Sequence, residues 1–419
     1  MENNNRSIIY DDILQFWYSE YIDNLPESAT SGNFPKSFFR KLVLFLKIIV
    51  RDTFRIFLPS SINGNNDVWL FVSSINNYNS ISFLNDEINS SKYVKPRTGI
   101  SADRNVPGEQ LIYRWKIIYT LKGLYFFFIF LRYSNRKQYA SKHWPYFFNT
   151  LGLFEESVRY LKKYNPKAII FSNDHSVEQR ALLLAAKECG IKTIYIQHAS
   201  VTKYFPPLKF DLSLLEGQDA YDKYKSIGSI EGKVELVGMP KFDEYVEYRS
   251  DKDTIDRIGV CFNMTDRIGD VEKTTKFLVQ EFPDIEFYLR PHPRESRNFY
   301  VNGVKLSDSK KTNAFQFLKN VDAIIAGNTS IHLEAAIFNV LPIYYSFSNK
   351  GNADSYGYTE NGLTVHAKSK EEIIGIIEKY KSGRPEVYRK AKYYNSAIDT
   401  SNEGKIKILV ADILKGYLK

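Results

Sequence analysis

The sequence contains little cysteine and no long apolar run, and these two features exclude several classes of protein. Only Cys189 and Cys261 occur among 419 residues, which excludes a disulfide framework and a cysteine-rich zinc site. The most apolar stretch, 123–131, is bounded by Lys122 and Arg132 and is far shorter than the roughly 20 residues that span a bilayer. We therefore expect a protein of a reducing compartment, in which this stretch is a buried helix or strand.

Metal ligands and a secretory signal are also missing from the sequence. The six histidines are scattered, without cysteine or carboxylate partners at ligand spacing, so we predict no metal and no cofactor. Residues 1–10 are polar and asparagine-rich and lack the charged-then-apolar order of a signal peptide. The expected location is cytoplasmic.

Length and charge indicate two domains and an anionic partner. A chain of 419 residues exceeds the usual size of one hydrophobic core. The net charge of +9 favours nucleic acid, an anionic membrane or anionic substrates, but no nucleic-acid-binding module accompanies it, so we predict no nucleic acid partner. Residues 38–56 mix bulky apolar residues with cations and predict either contact with the inner-membrane surface or a peripheral helix with solvated charges.

Apolar runs and helical periodicity predict an alternating α/β fold. Helical spacing indicates a helix over 109–133. A strand–helix–strand unit follows in 167–196, and polar side chains come directly after its two strands. Ligands of doubly wound sheets bind at such strand ends.

The residues after these two strands are candidates for a general base. Asp174 is our first choice, because a carboxylate can remove the proton of an acceptor hydroxyl. His175 or His198 are alternatives for the same role. Asp174 is also in a position to cap the following helix.

A second group of candidates surrounds a histidine locked between two prolines. Arg290-Pro291-His292-Pro293 follows a predicted strand at 285–289, and the prolines restrict the backbone on both sides of the imidazole. We predict that His292 donates to a departing phosphate, with Arg290 and Pro293 beside it.

The third group lies at a predicted strand-to-helix junction. Asn328, Thr329 and Ser330 follow an apolar run at 321–326 and open a helix. Backbone N–H groups and hydroxyls there favour a phosphate, and Glu334, one turn later, is placed to accept from ribose hydroxyls. Simple capping of the helix is the alternative.

A fourth pair follows the strand at 258–262. Asn263 and Thr265 lie in a polar turn, where they would contact a donor nucleotide. Capping of the next helix by Thr265 or Asp266 is the alternative.

The order of these segments resembles bacterial GT-B glycosyltransferases that use CMP-activated acidic sugars, such as sialyltransferases and Kdo transferases of capsule and lipopolysaccharide assembly. Two further segments carry this resemblance. Val237-Gly238-Met239-Pro240-Lys241-Phe242-Asp243 is similar to the segment that joins the two domains of surface-polysaccharide transferases, and Ile196-Gln197-His198 resembles their Gln-His segment.

The resemblance implies an α/β protein of the GT-B type, with two facing Rossmann-like domains and a cleft between them. Residues 1–245 would form the acceptor domain, with a helical N-terminal extension, and 246–419 the nucleotide-sugar domain. In such enzymes the last helix often crosses back to the first domain.

The function implied is metal-independent transfer of sialic acid, a related nonulosonic acid or Kdo from a CMP-sugar to a glycan or glycolipid acceptor, with inversion favoured. Teichoic-acid-type CDP-polyol phosphotransferases are an alternative, although they typically read Thr-Asp-Tyr-Ser-Ser where this chain has Gly-Asn-Thr-Ser at 327–330. A catalytically silent subunit of a membrane assembly is a second alternative.

Overall fold

Two parallel β-sheets organise the chain in the computed structural model, which describes residues 2–25, 30, 32–59, 62–63, 67–97, 105–347 and 354–419. The first sheet has the strand order β3-β2-β1-β4-β5-β6-β7. Its strands are β1 (Val68–Phe71), β2 (Ser91–Pro96), β3 (Glu109–Leu111), β4 (Ala168–Phe171), β5 (Lys192–Ile196), β6 (Leu212–Leu215) and β7 (Lys233–Leu236). Every neighbouring pair is parallel, so the carboxyl ends of all seven strands lie at one edge.

Helices cover both faces of this sheet and form an N-terminal extension. They are α1 (Glu2–Ile13), α2 (Glu20–Asn24), α3 (Phe38–Phe54), α4 (Ile75–Ile81), α5 (Lys116–Leu121), α6 (Gly123–Tyr133), α7 (Lys137–Lys142), α8 (Trp144–Thr150), α9 (Leu153–Tyr164), α10 (Val177–Glu188) and α11 (Gln218–Ile227). Short 3-10 helices lie at Arg55–Phe57 and Ser82–Leu84.

The prediction of one helix over 109–133 is wrong at its beginning. Glu109 pairs with Val94, and this pairing makes β3 an edge strand of the sheet. Gly108, at a φ of +120°, turns the chain into that edge with a conformation that favours glycine. Tertiary pairing thus overrides the helical spacing at residues 109–111.

The second sheet has the order β10-β9-β8-β11-β12-β13, and its neighbouring strands are again parallel. Its strands are β8 (Arg257–Phe262), β9 (Glu286–Pro291), β10 (Lys305–Leu306), β11 (Ala323–Ala326), β12 (Leu341–Tyr344) and β13 (Val365–His366). The helices of this half are α12 (Ile268–Glu281), α13 (Ala314–Leu318), α14 (Ile331–Ile337) and α15 (Lys370–Tyr380), with a 3-10 helix at Tyr388–Tyr393.

Two segments join the halves. The first is a 3-10 helix at Pro240–Tyr248, and the predicted domain boundary between residues 245 and 246 falls inside it. The second is α16 (Ile406–Leu418), the last helix, which packs Val410 and Leu414 into the same buried cluster as Leu70 and Ile170 of the first sheet. The chain therefore returns to its first half at its end.

The outward side of the N-terminal helices carries exposed apolar residues. On α3 they include Phe39, Leu42, Leu46, Val50 and Phe54, which recur every three or four residues and so form one stripe. On α6 they include Leu124, Tyr125 and Phe128, so the expectation that 123–131 is buried is wrong for one side of this helix. Both helices contact α5. We call these eight residues the apolar face.

No helix within the described ranges is long and apolar enough to cross a membrane.

Candidate functional site

A cleft of about 290 Å³ lies at the carboxyl edge of the second sheet. β9, β8 and β11 are neighbours in the sheet, so the segments that follow them meet there. The lining residues are Cys261, Phe262, Asn263, Arg290, Pro291, His292, Pro293, Ser309, Asn313, Ala314, Thr329, Ser330, Ile331 and Glu334. The three polar segments predicted from separate parts of the sequence thus form one cleft, which we call the second-sheet cleft.

His292 is exposed at the end of β9, and its ring orientation is fixed by the backbone. The backbone N–H of His292 donates to the carbonyl of Phe262 at 2.8 Å. The backbone N–H of Arg294 donates to Nδ1 of the His292 ring at 3.1 Å. This second bond assigns the proton of the neutral ring to Nε2. Partial burial, and then the Arg294 cation, lower the pKa of His292, so the neutral ring is a hydrogen-bond donor through Nε2 at pH 7.

Arg290 lines the same cleft, but its guanidinium also supports the cleft wall. It donates to Ser307 Oγ and to the carbonyl of Thr312, both at 2.8 Å, and it lies 4.8 Å from the ring centre of Phe317. The residue is buried. Its first effect is therefore to hold the 307–312 loop against β9; direct contact with a phosphate stays a prediction.

Thr329 and Ser330 lie between β11 and α14 and line the cleft. Ser330 is the N-cap residue of α14, yet its side chain makes no capping hydrogen bond within the described chain. The capping interpretation therefore fails for this hydroxyl. Glu334 lies one turn later on the cleft side, as its spacing from Ser330 predicted.

Asn263, Thr265 and Asn328 form a hydrogen-bonded turn beside the cleft. Asn263 Oδ1 accepts from the Thr265 N–H at 2.8 Å and from its hydroxyl at 2.6 Å. Asn263 Nδ2 donates to the carbonyl of Asn328 at 3.3 Å, and the Asn328 amide bonds with Ser355. Asn263 reaches the cleft, whereas Thr265 and Asn328 are not among its lining residues and orient their neighbours instead.

Lys241 connects the cleft to the first half of the molecule. It follows Pro240 in the 3-10 helix between the domains, and its Nζ lies 3.5 Å from Glu334 Oε1. Glu216 follows β6, and burial is the main cause that raises its pKa to about 7. The positive charge of Lys241 opposes this rise, and the negative charge of Glu334 adds to it. The charges of Lys241, Glu216 and Glu334 therefore interact across the junction of the two halves.

At the carboxyl edge of the first sheet, Asp174 and His175 form a hydrogen-bonded pair after β4. His175 Nδ1 lies 3.0 Å from Asp174 Oδ1, and the hydroxyl of Tyr224 donates to Asp174 Oδ2 at 2.6 Å. Asp174 is only 1% exposed, whereas the His175 side chain is 18% exposed. Because a carboxylate only accepts, Nδ1 carries the ring proton and Nε2 is the basic nitrogen.

Asp174 does not cap α10. The hydrogen bonds that turn the chain into this helix come from Asn173, whose Oδ1 accepts from the N–H groups of His175 and Ser176 at 3.1 and 2.9 Å. Both oxygens of Asp174 already have partners. The imidazole of His175 is therefore more accessible at this strand end than the carboxylate of Asp174.

His198 follows β5 and lies beside the same pair. Its Nε2 is 3.5 Å from Nδ2 of Asn77. Burial, and then the charges of His175 and Lys241, lower the pKa of His198 to about 4. The ring is therefore neutral at pH 7, and it is a weaker base than an exposed histidine.

Sequence analysis missed three polar residues of the site. Lys241 lies inside a segment that the resemblance already singled out, so its position was a usable signal. Ser309 and Asn313 reach the second-sheet cleft from the loop between β10 and α13, and nothing in their spacing marks them. Across the described part of the chain, no group of three or more histidine, cysteine or acidic residues is arranged to hold a metal ion.

Solved structures share this architecture. The glycotransferase of kitacinnamycin superposes with a TM-score of 0.55 and 11% identity, over 85% of this chain and 100% of that one. The wall teichoic acid polymerase TagF gives 0.52 and 13%, over 91% and 97%. A putative UDP-N-acetylglucosamine 2-epimerase from Listeria monocytogenes gives 0.52 and 10%, over 84% and 97%.

At these identities the likeness defines the fold. The chain has the predicted α/β fold of the GT-B type, with two Rossmann-like domains, and that prediction is confirmed. No sequence-family profile matches the chain, and no curated protein sequence matches it significantly.

Proposed function

We propose that this protein is a glycosyltransferase that transfers an acidic sugar, sialic acid, a related nonulosonic acid or Kdo, from a CMP-activated donor to a glycan or glycolipid acceptor. The observation that carries the proposal is the meeting of His292, Thr329, Ser330 and Glu334 in one cleft. These residue types at neighbouring strand ends suit a nucleotide monophosphate. The choice of CMP and of an acidic sugar rests on the resemblance of the segments that carry these residues to those of GT-B glycosyltransferases that use CMP-activated acidic sugars.

In the proposed reaction, the phosphate of the donor lies in the second-sheet cleft. His292 Nε2–H and the hydroxyls of Thr329 and Ser330 donate to its oxygens as the bond to the sugar breaks, which stabilises the developing charge. Glu334 accepts from the ribose, and Lys241, 3.5 Å from it, limits the repulsion between that carboxylate and the phosphate. No metal is required for these contacts, and we propose a metal-independent reaction.

The acceptor hydroxyl is deprotonated by His175 in this scheme. Asp174 fixes the imidazole through Nδ1 and stabilises the cation that forms when Nε2 takes the proton. The contact of Nε2 with the Asn173 amide is long, at 3.4 Å, and an incoming hydroxyl can replace it. His198 contributes a neutral ring beside the pair rather than a second base.

The proposal includes contact with the inner surface of a membrane through residues 38–56. The apolar face gives α3 an exposed stripe, and Arg40, Lys41 and Lys47 stand beside it for anionic headgroups. Arg51 and Arg55 are turned inward instead, toward Asp52. We propose a cytoplasmic protein that is peripheral to the membrane.

A second candidate is transfer of a polyol phosphate from a CDP-activated donor. The likeness to TagF extends over 91% of this chain, and the Arg290-Pro291-His292-Pro293 segment suits either donor. Calorimetric titration of CMP, CDP and UDP without metal separates the candidates. Selective binding of CMP supports the acidic-sugar transferase, and preference for CDP supports polyol phosphate transfer. Preference for UDP, or no binding, contradicts both.

A further inference from the structure

A second cavity, of about 410 Å³, lies among the N-terminal helices, and basic side chains line it. Arg51 and Arg55 reach it from the end of α3, and Lys116 from the beginning of α5. Ser176 and Glu178 line it at the beginning of α10. We call it the basic cavity. Its lining shares no residue with that of the second-sheet cleft.

The three cations of the basic cavity share one buried carboxylate. Asp52 is fully buried and lies 3.1 Å from a nitrogen of Arg51, 3.1 Å from Arg55 and 2.7 Å from Lys116. The cavity is therefore lined by a cluster of basic side chains. A cluster of buried cations favours the binding of an anion.

Glu178 is the acidic residue among those that line the cavity. Burial raises the pKa of its carboxyl group, and the three cations oppose that shift. Burial, together with Arg51 and Arg55, lowers the pKa of Lys116 to about 7 despite the opposing effect of Asp52, as expected where cations crowd a dry site.

Ser176 adds a hydroxyl that has no partner. It is the N-cap residue of α10, but its side chain does not cap that helix. Its Oγ is shielded from solvent and makes no hydrogen bond to any described residue. A buried hydroxyl without a partner is unfavourable, and an anionic oxygen in the cavity would accept from it. The twelve-residue α10 also directs its positive end there.

We infer that the basic cavity binds an oxyanion, a phosphate or a carboxylate, carried by the acceptor. Ser176 directly follows His175, the proposed base. Trp17 lines the cavity, while the ring of its neighbour Phe16 lies 4.5 Å from that of His175. His175 does not itself line the cavity, so an acceptor anchored by its anion would extend out of the cavity toward the imidazole. Assignment of the anion to the acceptor rests on the proposed function, whereas the oxyanion site itself does not.

Titration of the purified full-length chain with inorganic phosphate and with glucuronate tests this inference. In Arg51→Gln we expect affinity to fall about tenfold or more, because a charged hydrogen bond is lost. Asp52 keeps its partners Arg55 and Lys116 in this variant, so folding is preserved. Ser176→Ala should weaken binding severalfold without lowering the melting temperature, since its hydroxyl bonds to nothing described.

Lys162→Gln is the matched control, because it removes an exposed cation of α9 in the same half of the chain that does not line the cavity. It should bind as the unchanged protein does. Binding of phosphate alone would indicate a phosphorylated acceptor, and binding of glucuronate alone a carboxylated one. Absence of binding of both anions, or equal affinities in Arg51→Gln and Lys162→Gln, would overturn the inference.

Titration of CMP into the same proteins separates this inference from the proposed function. Arg51→Gln should bind CMP normally. Failure of CMP to bind, beside Arg51-dependent binding of phosphate, would refute the proposed donor and leave the oxyanion site standing. If phosphate binds in the second-sheet cleft instead, its binding should be lost in Ser330→Ala and retained in Arg51→Gln. That result would count against an oxyanion site in the basic cavity.

Discussion

Nδ1 of His175 lies 3.0 Å from Oδ1 of Asp174, and the carboxylate is buried behind the ring. If this pair acts as one unit, Asp174→Asn and His175→Gln should each lower turnover by about 10²- to 10⁴-fold. The double variant should be little worse than either single one. CMP affinity should stay unchanged in all three. Additive losses in steady-state rates would contradict a shared role.

Tyr224→Phe is the control for this pair. It removes the donor to Asp174 Oδ2 at 2.6 Å but leaves His175 in place. We expect a stability loss of about 1–3 kcal/mol, because a buried acceptor loses its partner, and a smaller loss of turnover than in Asp174→Asn.

His292→Ala should lower turnover by about 10²-fold or more, because a donor to the departing phosphate is lost. Folding should be nearly unchanged, since the ring is exposed at the end of β9. His366→Ala, which changes a histidine of the same half outside the cleft lining, should retain activity. Donor turnover and circular dichroism measure the two effects, and an unchanged rate in His292→Ala would refute the assigned role.

Gly238→Ala should destabilise the junction of the two halves by about 1–3 kcal/mol. Gly238 has a φ of +96°, and an added Cβ would lie 2.6 Å from the Cβ of Ala397. Gly269→Ala is the matched control, because it lies in α12 with no atom within 4 Å of the added Cβ, and it should be neutral or slightly stabilising. Urea unfolding compares them, and equal midpoints would contradict the argument.

His143→Phe should become more stable relative to the unchanged protein as pH falls from 7.5 to 5. Burial lowers the pKa of His143 to about 4, so the unfolded chain takes up a proton near pH 6.5 that the folded chain refuses. This histidine therefore contributes stability above pH 6.5 that is lost on acidification. We expect a relative gain of about 1–2 kcal/mol in urea unfolding.

The difference between the two proteins is the quantity to measure, because other groups act in the opposite direction. Burial raises the pKa values of Glu216 to about 7 and of Asp266 to about 6. Their folded forms hold protons that the unfolded chain releases, which favours folding at lower pH. A relative stability that did not change between pH 7.5 and 5 would show that the His143 ring is accessible to protons.

Leu46→Glu should weaken binding to vesicles that contain phosphatidylglycerol, because it places a charge in the apolar face. Ile408→Glu is the control, since Ile408 is 63% exposed on α16 but is not part of that face. Binding should fall with added salt, as expected for basic side chains at an anionic surface. Co-sedimentation measures both effects, and equal binding of the two variants would argue against this membrane contact.

The cleft of the second half was largely predictable because parallel α/β units place their functional residues at strand ends. His292 and Ser330 each follow a buried apolar run, so their convergence required only that β9, β8 and β11 be neighbours. Ser309 and Asn313 could not be predicted in this way. Their loop reaches the cleft because Arg290 binds Ser307 and Thr312, a contact that leaves no local pattern.

The roles of the residues that follow the strands of the first sheet were less predictable, because they too depend on contacts between distant parts of the chain. Asp174 was the natural choice of base from its position, but its second oxygen is taken by Tyr224, fifty residues later in the chain. Burial and long-range partners decide which of two adjacent residues meets a substrate. The basic cavity depends on such pairing too, since Asp52 meets Lys116 from a different helix.

The return of α16 to the first sheet has a consequence for how the protein can be divided. Val410 and Leu414 belong to the buried cluster around β1 and β4, and the N–H of Lys407 donates to Asp243 of the other connecting segment at 2.7 Å. A fragment that ends at residue 245 would therefore lack part of its own interior. The two halves have separate sheets, but the interior of the first half includes side chains of the C-terminal helix. We therefore expect the first half to need that helix in order to fold.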